Sequence, residues 1–184
     1  MNKVIWKAIL TKNSSMKIPN KNVFVICDNI RSLYNVGSIF RSSDGAGMVS
    51  KIYLTGMTGY PKPNDPTWTQ TQKIAKTSLG AEKYIDWEYQ KDPIKLVQKF
   101  IKKGIKIYCL ENNINSDSED FSKTKYQFPM ALVIGHEVKG IKPEIINLAD
   151  QCVFIPMRGH KESLNVASAY AIAIYEISKQ IYKN

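Results

Sequence analysis

Three arginines stand among 23 lysines in this 184-residue chain, and all three, Arg31, Arg41 and Arg158, fall in glycine-punctuated segments after apolar runs. A guanidinium is a planar, permanently charged fork that grips phosphate through two parallel hydrogen bonds, and an ammonium does not reproduce that geometry. Scarce arginines in a lysine-rich chain therefore mark candidate sites, and Arg41 is the foremost. It ends the pattern Asn35-x-Gly37-x-x-x-Arg41, in which Asn35 suits a helix N-cap and Arg41 follows somewhat less than two turns later.

Two further segments carry polar groups in the same kind of context. In Gly135-His136-Glu137-Val138-Lys139-Gly140, the two glycines allow backbone to approach a ligand closely, and Glu137 is a carboxylate suited to fixing an arginine or binding a hydroxyl. In IPMRGHKESLNVASAYAIAIYEI, Ser163 suits the N-cap of the last helix, and Ser163, Leu164 and Asn165 bring free backbone donors and two polar side chains to its start. Such a terminus attracts anions or lone-pair groups. His136 and His160 lie in these loops. With no nucleophile elbow beside them they read as loop or RNA-contact residues, and their separation gives no metal-ligand pattern.

The elements that position these segments follow from short apolar runs at 23–28, 51–56, 105–111, 131–135 and 152–157, with helical stretches at 35–45, 67–79, 93–103, 143–148 and 163–182. Strands with little internal alternation, separated by helices, indicate an α/β fold with a mostly parallel sheet and flanking helices. The segments 56–66 and 112–125 read as surface loops, and residues near the N-terminus as a short added helix. Ligands of parallel sheets bind beyond the carboxyl ends of the strands, where all three polar segments begin, so they form a single expected site. Neither GxGxxG after a strand nor GxxxxGK[ST] occurs, which removes support for dinucleotide and P-loop readings.

Length and charge bound the rest. The chain fits one domain, residues 1–184. A net charge of +10 and a pI near 9.4 favour a polyanionic partner, with RNA, DNA and anionic membrane all open on charge alone. No run approaches 18 apolar residues and the first residues do not read as a secretory signal, so a cytoplasmic protein without a membrane partner is expected. Cys27, Cys109 and Cys152 are odd in number, form no CxxC, and are expected to be buried small hydrophobes.

Taken together, NVGSIFR, GHEVKG and IPMRGHKESLNVASA, in this order and at these separations, resemble the three motifs of the SpoU (TrmH) family of the SPOUT superfamily. The resemblance spans about residues 22–178 and includes KTSLGAEKYIDWEY between the motifs. It implies an S-adenosylmethionine-dependent methyltransferase acting on a ribose 2′-hydroxyl of tRNA or rRNA, tRNA being preferred for so small and basic a chain, with S-adenosylhomocysteine as the product. It also implies a deep C-terminal trefoil knot, a homodimer and no metal. The knot runs against general topological rules and rests on the resemblance alone.

By the same resemblance, Leu110, Glu111, Asn112, Gly135, Glu137, Ile155, Met157, Ser163, Leu164 and Val166 would line the methyl-donor pocket. Arg41 would be the catalytic arginine, supported by Asn35, Glu137, Ser163 and Asn165, while Arg31, Arg41, Arg158 and His160 would meet RNA. A guanidinium is a very poor base, so Arg41 fits the gripping of a phosphate and the 2′-oxygen better than ordinary proton abstraction. Val138 and Ala167 replace the Gly and Ser more usual in the second and third motifs, which affects pocket shape rather than reaction class. The alternatives are a dimeric RNA-binding protein of the same fold without catalysis and a knotted methyltransferase acting on a base nitrogen.

Overall fold

The computed structural model describes residues 23–62, 64–65, 67–112 and 117–182; the helix expected near the N-terminus lies outside them. Strands β1 (Val23–Asp28), β2 (Val49–Thr55), β3 (Trp87–Gln90), β4 (Lys106–Leu110), β5 (Glu119–Asp120), β6 (Met130–Ile134) and β7 (Gln151–Phe154) form one sheet in the order β3-β2-β1-β6-β4-β7-β5. Every described strand pairing is parallel, as the apolar runs imply. The sequence reading missed β3 and β5. WEYQ is half-buried at the sheet edge, and ED is a two-residue polar strand, so neither carries a continuous apolar run.

Among the described residues five α-helices flank the sheet: α1 (Leu33–Ala46), α2 (Thr69–Ser78), α3 (Pro93–Lys102), α4 (Pro143–Ile146) and α5 (Val166–Tyr182). The period-two alternation of the strands sorts the core. Val25 is in register with Ile52 and Leu132, and this face packs against Ile39 and Phe40 of α1, Ile74 of α2 and Tyr170 and Ile174 of α5. The other face takes Ile26, Ile107, Cys109 and Val133 against Val97 and Phe100 of α3 and Ile145 of α4. β6 reads MALVI because it is buried on both sides. Cys109 and Cys152 are register partners across β4 and β7; Cys27 and Cys109 are buried, whereas Cys152 is only half-buried.

Two helix starts differ from the sequence reading. Ser32, not Asn35, caps α1, because the Ser32 hydroxyl accepts from the Asn35 N–H at 3.3 Å; Asn35 is thereby a residue of the first helical turn. α5 begins at Val166 rather than Ser163, and its cap is Asn165, whose Oδ1 accepts from the N–H groups of Ala167 (2.9 Å) and Ser168 (3.3 Å). In both cases the sequence offers two competent capping side chains within three residues, and only the path of the incoming loop selects between them.

α1 and α2 touch closely at Gly37, where an added Cβ would lie 2.1 Å from Thr77 Oγ1 and 2.3 Å from the Ile74 carbonyl oxygen. The Thr77 hydroxyl donates to the Tyr34 carbonyl at 2.8 Å, so it cannot retreat without losing that bond. Gly37→Ala gains about 1 kcal/mol of helix propensity but overpacks a backbone contact worth about 1–3 kcal/mol and breaks a hydrogen bond. The clash wins: urea denaturation should show Gly37→Ala less stable than the parent by about 1–2 kcal/mol, and an unchanged midpoint would contradict this packing.

Candidate functional site

β1 and β6 are hydrogen-bonded neighbours, so the loops at their carboxyl ends lie side by side. Glu137, in the turn after β6, accepts three hydrogen bonds from the loop after β1: Oε2 from the Arg31 N–H, and Oε1 from the Ser32 N–H and the Asn35 Nδ2, each at 2.9 Å. Asn35 Oδ1 in turn accepts from Asn165 Nδ2 at 3.2 Å, and Asn165 Oδ1 caps α5. One chain of polar contacts thus joins three segments, the first of them more than a hundred residues from the other two. Its first link satisfies backbone donors at the start of α1, where negative charge is favoured.

The turn bearing Glu137 is built tightly. His136 and Gly140 exchange backbone hydrogen bonds, and His136 Nδ1 accepts from the N–H groups of Val138 and Lys139 at 3.0 and 3.2 Å, which leaves the imidazole proton on Nε2. Gly135 and Gly140, expected to let backbone approach a ligand closely, line the cavity described below and also meet a constraint within the turn itself. A Cβ at Gly135 would sit 2.4 Å from the Gly140 carbonyl carbon, and one at Gly140, whose φ is 68°, would sit 2.3 Å from Glu111 Oε2. Both glycines serve the turn's own packing.

Glu111 and Asn112, just past β4, brace the neighbouring loops. Glu111 accepts from the N–H groups of Ile141 (3.0 Å) and Asn112 (2.9 Å); Asn112 accepts from the Ile155 N–H and donates to the Glu162 carbonyl. Between these loops opens a cavity of about 450 Å³. Leu110, Glu111, Asn112, Gly135, Glu137, Ile155, Ser163, Leu164 and Val166 line it, as the motif positions suggested, whereas Met157 is not among the lining residues. Apolar residues line it together with Glu111, Glu137, Glu162, His136 and Lys139, a mixed wall that suits a nucleoside-sized ligand.

The remaining sequence-predicted residues lie outside this cavity. Arg41 is exposed on α1, six residues beyond Asn35, and its guanidinium has no partner among the described residues. Arg31 joins the polar chain through its backbone N–H, with its residue otherwise exposed. Arg158 and His160 are exposed in the loop after β7. Hydrogen bonds from Ser122 hold the Asp120 carboxyl below its ordinary value, and the charges of Lys123 and Arg158 add to that effect. Sequence reasoning missed Ser32, the true cap, and Asn29. Asn29 sits at φ 59°, and its Oδ1 accepts from the Met57 N–H at 2.9 Å, tying the loops after β1 and β2 together.

The chain matches the model of the SpoU rRNA Methylase family over residues 22–175. It belongs to this family. Among its relatives, a tRNA (guanosine(18)-2′-O)-methyltransferase of Aquifex aeolicus is 30% identical over 177 residues, which is 96% of this chain and 78% of the relative. The protein of the same name from Thermus thermophilus is 27% identical over 159 residues, 86% of this chain and 75% of the relative. The solved structure of the A. aeolicus TrmH/SpoU tRNA modifying enzyme superposes with a TM-score of 0.75 at 26% identity, covering 96% of this chain and 84% of that one. The SpoU methyltransferase AviRb from Streptomyces viridochromogenes, solved with AdoMet, shares the fold at a TM-score of 0.74 and 23% identity, covering 91% and 62%.

Electrostatics of the central carboxylate yield a test. Partial burial pushes the Glu137 carboxyl up, but the donated N–H groups of Arg31, Ser32 and Asn35 outweigh it and hold the group below its ordinary value. A carboxyl lowered in the folded state stabilises the fold above its unfolded pKa of about 4.3, and that contribution vanishes as pH falls through the lower folded value. Glu137→Gln should therefore cost about 1 kcal/mol at pH 7, and the gap from the parent in urea denaturation should close below about pH 4. A gap that persists unchanged into acid would show that the charge plays no part.

Proposed function

We propose that this protein is an S-adenosylmethionine-dependent methyltransferase acting on a ribose 2′-hydroxyl of transfer RNA. The observation carrying the reading is the Glu137–Asn35–Asn165 chain of hydrogen bonds at a cavity lined by the motif residues. Family membership and the names of the A. aeolicus and T. thermophilus relatives support tRNA, with guanosine 18 the first nucleotide to examine. The donor, when bound, supplies an electrophilic methyl group on a sulfonium. Leu110, Ile155, Leu164 and Val166 would hold its apolar parts, backbone groups around Gly135 its polar edges, and the cavity carboxylates its positive charge.

The chain's own residues then have distinct tasks. Asn35, fixed on both sides by Glu137 and Asn165, presents an immobilised amide beside the cavity, and Ser163 adds a hydroxyl to the wall. Arg41, without a partner among the described residues, is available to grip the phosphate next to the target ribose and orient the 2′-oxygen. Arg31, Arg158 and His160 would add contacts to the RNA backbone, and the overall +10 charge would gather it.

A single methyltransferase domain working as a homodimer in the cytoplasm completes the reading. An exposed apolar groove on α5, formed by Ile172, Tyr175 and Tyr182 beside Phe121, supports a dimer. Among the described residues no helix is long and apolar enough to cross a membrane. In the strand order β6 lies between β1 and β4 and β7 on the far side of β4, and the family resemblance carries the trefoil knot.

Mapping 2′-O-methyl groups in total RNA from cells lacking the protein should reveal one missing tRNA modification, and an unchanged map would refute the reading. In purified enzyme, Arg41→Lys should lower kcat by about 100-fold or more while leaving the melting temperature and the affinity for S-adenosylmethionine as they were. Full methyl transfer by that variant would remove Arg41 from catalysis.

A further inference from the structure

The cavity and the polar chain beside it account for the loops after β1, β4, β6 and β7, but not for the loop after β2 or the face of α1 and α2 beside it. That loop is fastened to the site. Asn29 Oδ1 takes the Met57 N–H, Thr58 Oγ1 takes the Ile30 N–H at 2.9 Å, and Gly59 packs so closely on Leu33 that a Cβ there would lie 2.2 Å from its side chain. What this region exposes is aromatic and cationic. Tyr34, the residue before Asn35, is 43% exposed on the first turn of α1, and Lys76 Nζ of α2 stands 5.9 Å from the centroid of its ring. On the neighbouring loop Lys62 Nζ lies 4.1 Å over the ring of Trp68, which is braced edge-on by Tyr60.

An exposed tyrosine and a half-buried tryptophan, each accompanied by an ammonium group, match the way unpaired nucleotides are held: bases stack on aromatic faces while cations meet the phosphates. A solvated lysine surface explains the charges but not an exposed tyrosine held at the first turn of the helix that carries Asn35. The backbone under Tyr34 is anchored, since its carbonyl accepts the Thr77 hydroxyl, so the ring projects from a fixed point.

We propose that Tyr34 and Lys76, continued by Lys62 and Trp68, form the surface on which unpaired bases flanking the methylated nucleotide stack, with Tyr34 as the positioning residue. The inference deepens the RNA-methylating reading and rests on it. Because Tyr34 directly precedes Asn35, a base stacked there sets the distance between the RNA backbone and the polar chain at the cavity.

The test compares the full-length protein with Tyr34→Ala, Tyr34→Phe and Lys76→Ala on an unmodified tRNA transcript. Tyr34→Ala should raise KM for the transcript about tenfold or more, with kcat changed much less and S-adenosylmethionine affinity intact; Tyr34→Phe should restore KM, and Lys76→Ala should raise it while flattening its salt dependence. An unchanged KM in Tyr34→Ala, or failure of Tyr34→Phe to rescue, overturns the proposal. So does a change in sedimentation mass with Tyr34→Ala, which would assign the face to a second copy of the chain. Direct binding of the labelled transcript separates this inference from the activity. If the parent binds but transfers no methyl, the proposed function fails, while loss of binding in Tyr34→Ala with recovery in Tyr34→Phe still upholds the surface and equal binding overturns it.

Discussion

The arrangement depends on one carboxylate meeting backbone donors that have no other partner. The first turn of any helix leaves N–H groups unsatisfied, and in α1 the N–H groups just ahead of it turn toward Glu137 rather than water. Because Glu137 stands on the turn after β6, the bond also holds the loops of two adjacent strands together. Asn35 then passes the constraint to Asn165 and the start of α5. Removing the carboxylate would free three donors at once, so the start of α1, the turn and the α5 cap have to be considered as one unit.

That unit places a second demand on the glycines of the turn. Gly135 and Gly140 are pressed against each other's backbone and against Glu111, which leaves the turn no freedom to deviate from the shape that presents Glu137. His136 closes the same turn by accepting two N–H groups on one ring nitrogen. A site made from four loops is precise only if each loop is tied to another, and here side-chain acceptors do the tying: Glu111, Asn112, Glu137 and Asn29 each take backbone N–H groups from a segment distant in sequence or just beyond their own strand.

The distribution of charge follows the same division. Three glutamates, Glu111, Glu137 and Glu162, stand among the residues lining the cavity beside a single lysine, Lys139, although the chain as a whole carries +10. Exposed cations occupy the outer surface, where a polyanion is expected.

The sequence by itself determined the class of fold and most of the cavity wall. Continuous apolar runs such as MALVI can be buried only on both faces of a parallel sheet, and the three polar segments follow such runs, which places them at one edge. Tertiary structure decided which of two capping residues starts each helix, that β3 and β5 exist at all, and that Arg41 stands outside the cavity while Arg31 contributes its backbone rather than its guanidinium. These outcomes share a cause. Periodicity and composition report how much of a segment is buried, whereas caps, polar edge strands and the reach of an arginine depend on which partner the fold brings within about 3 Å, and no local pattern encodes a partner a hundred residues away.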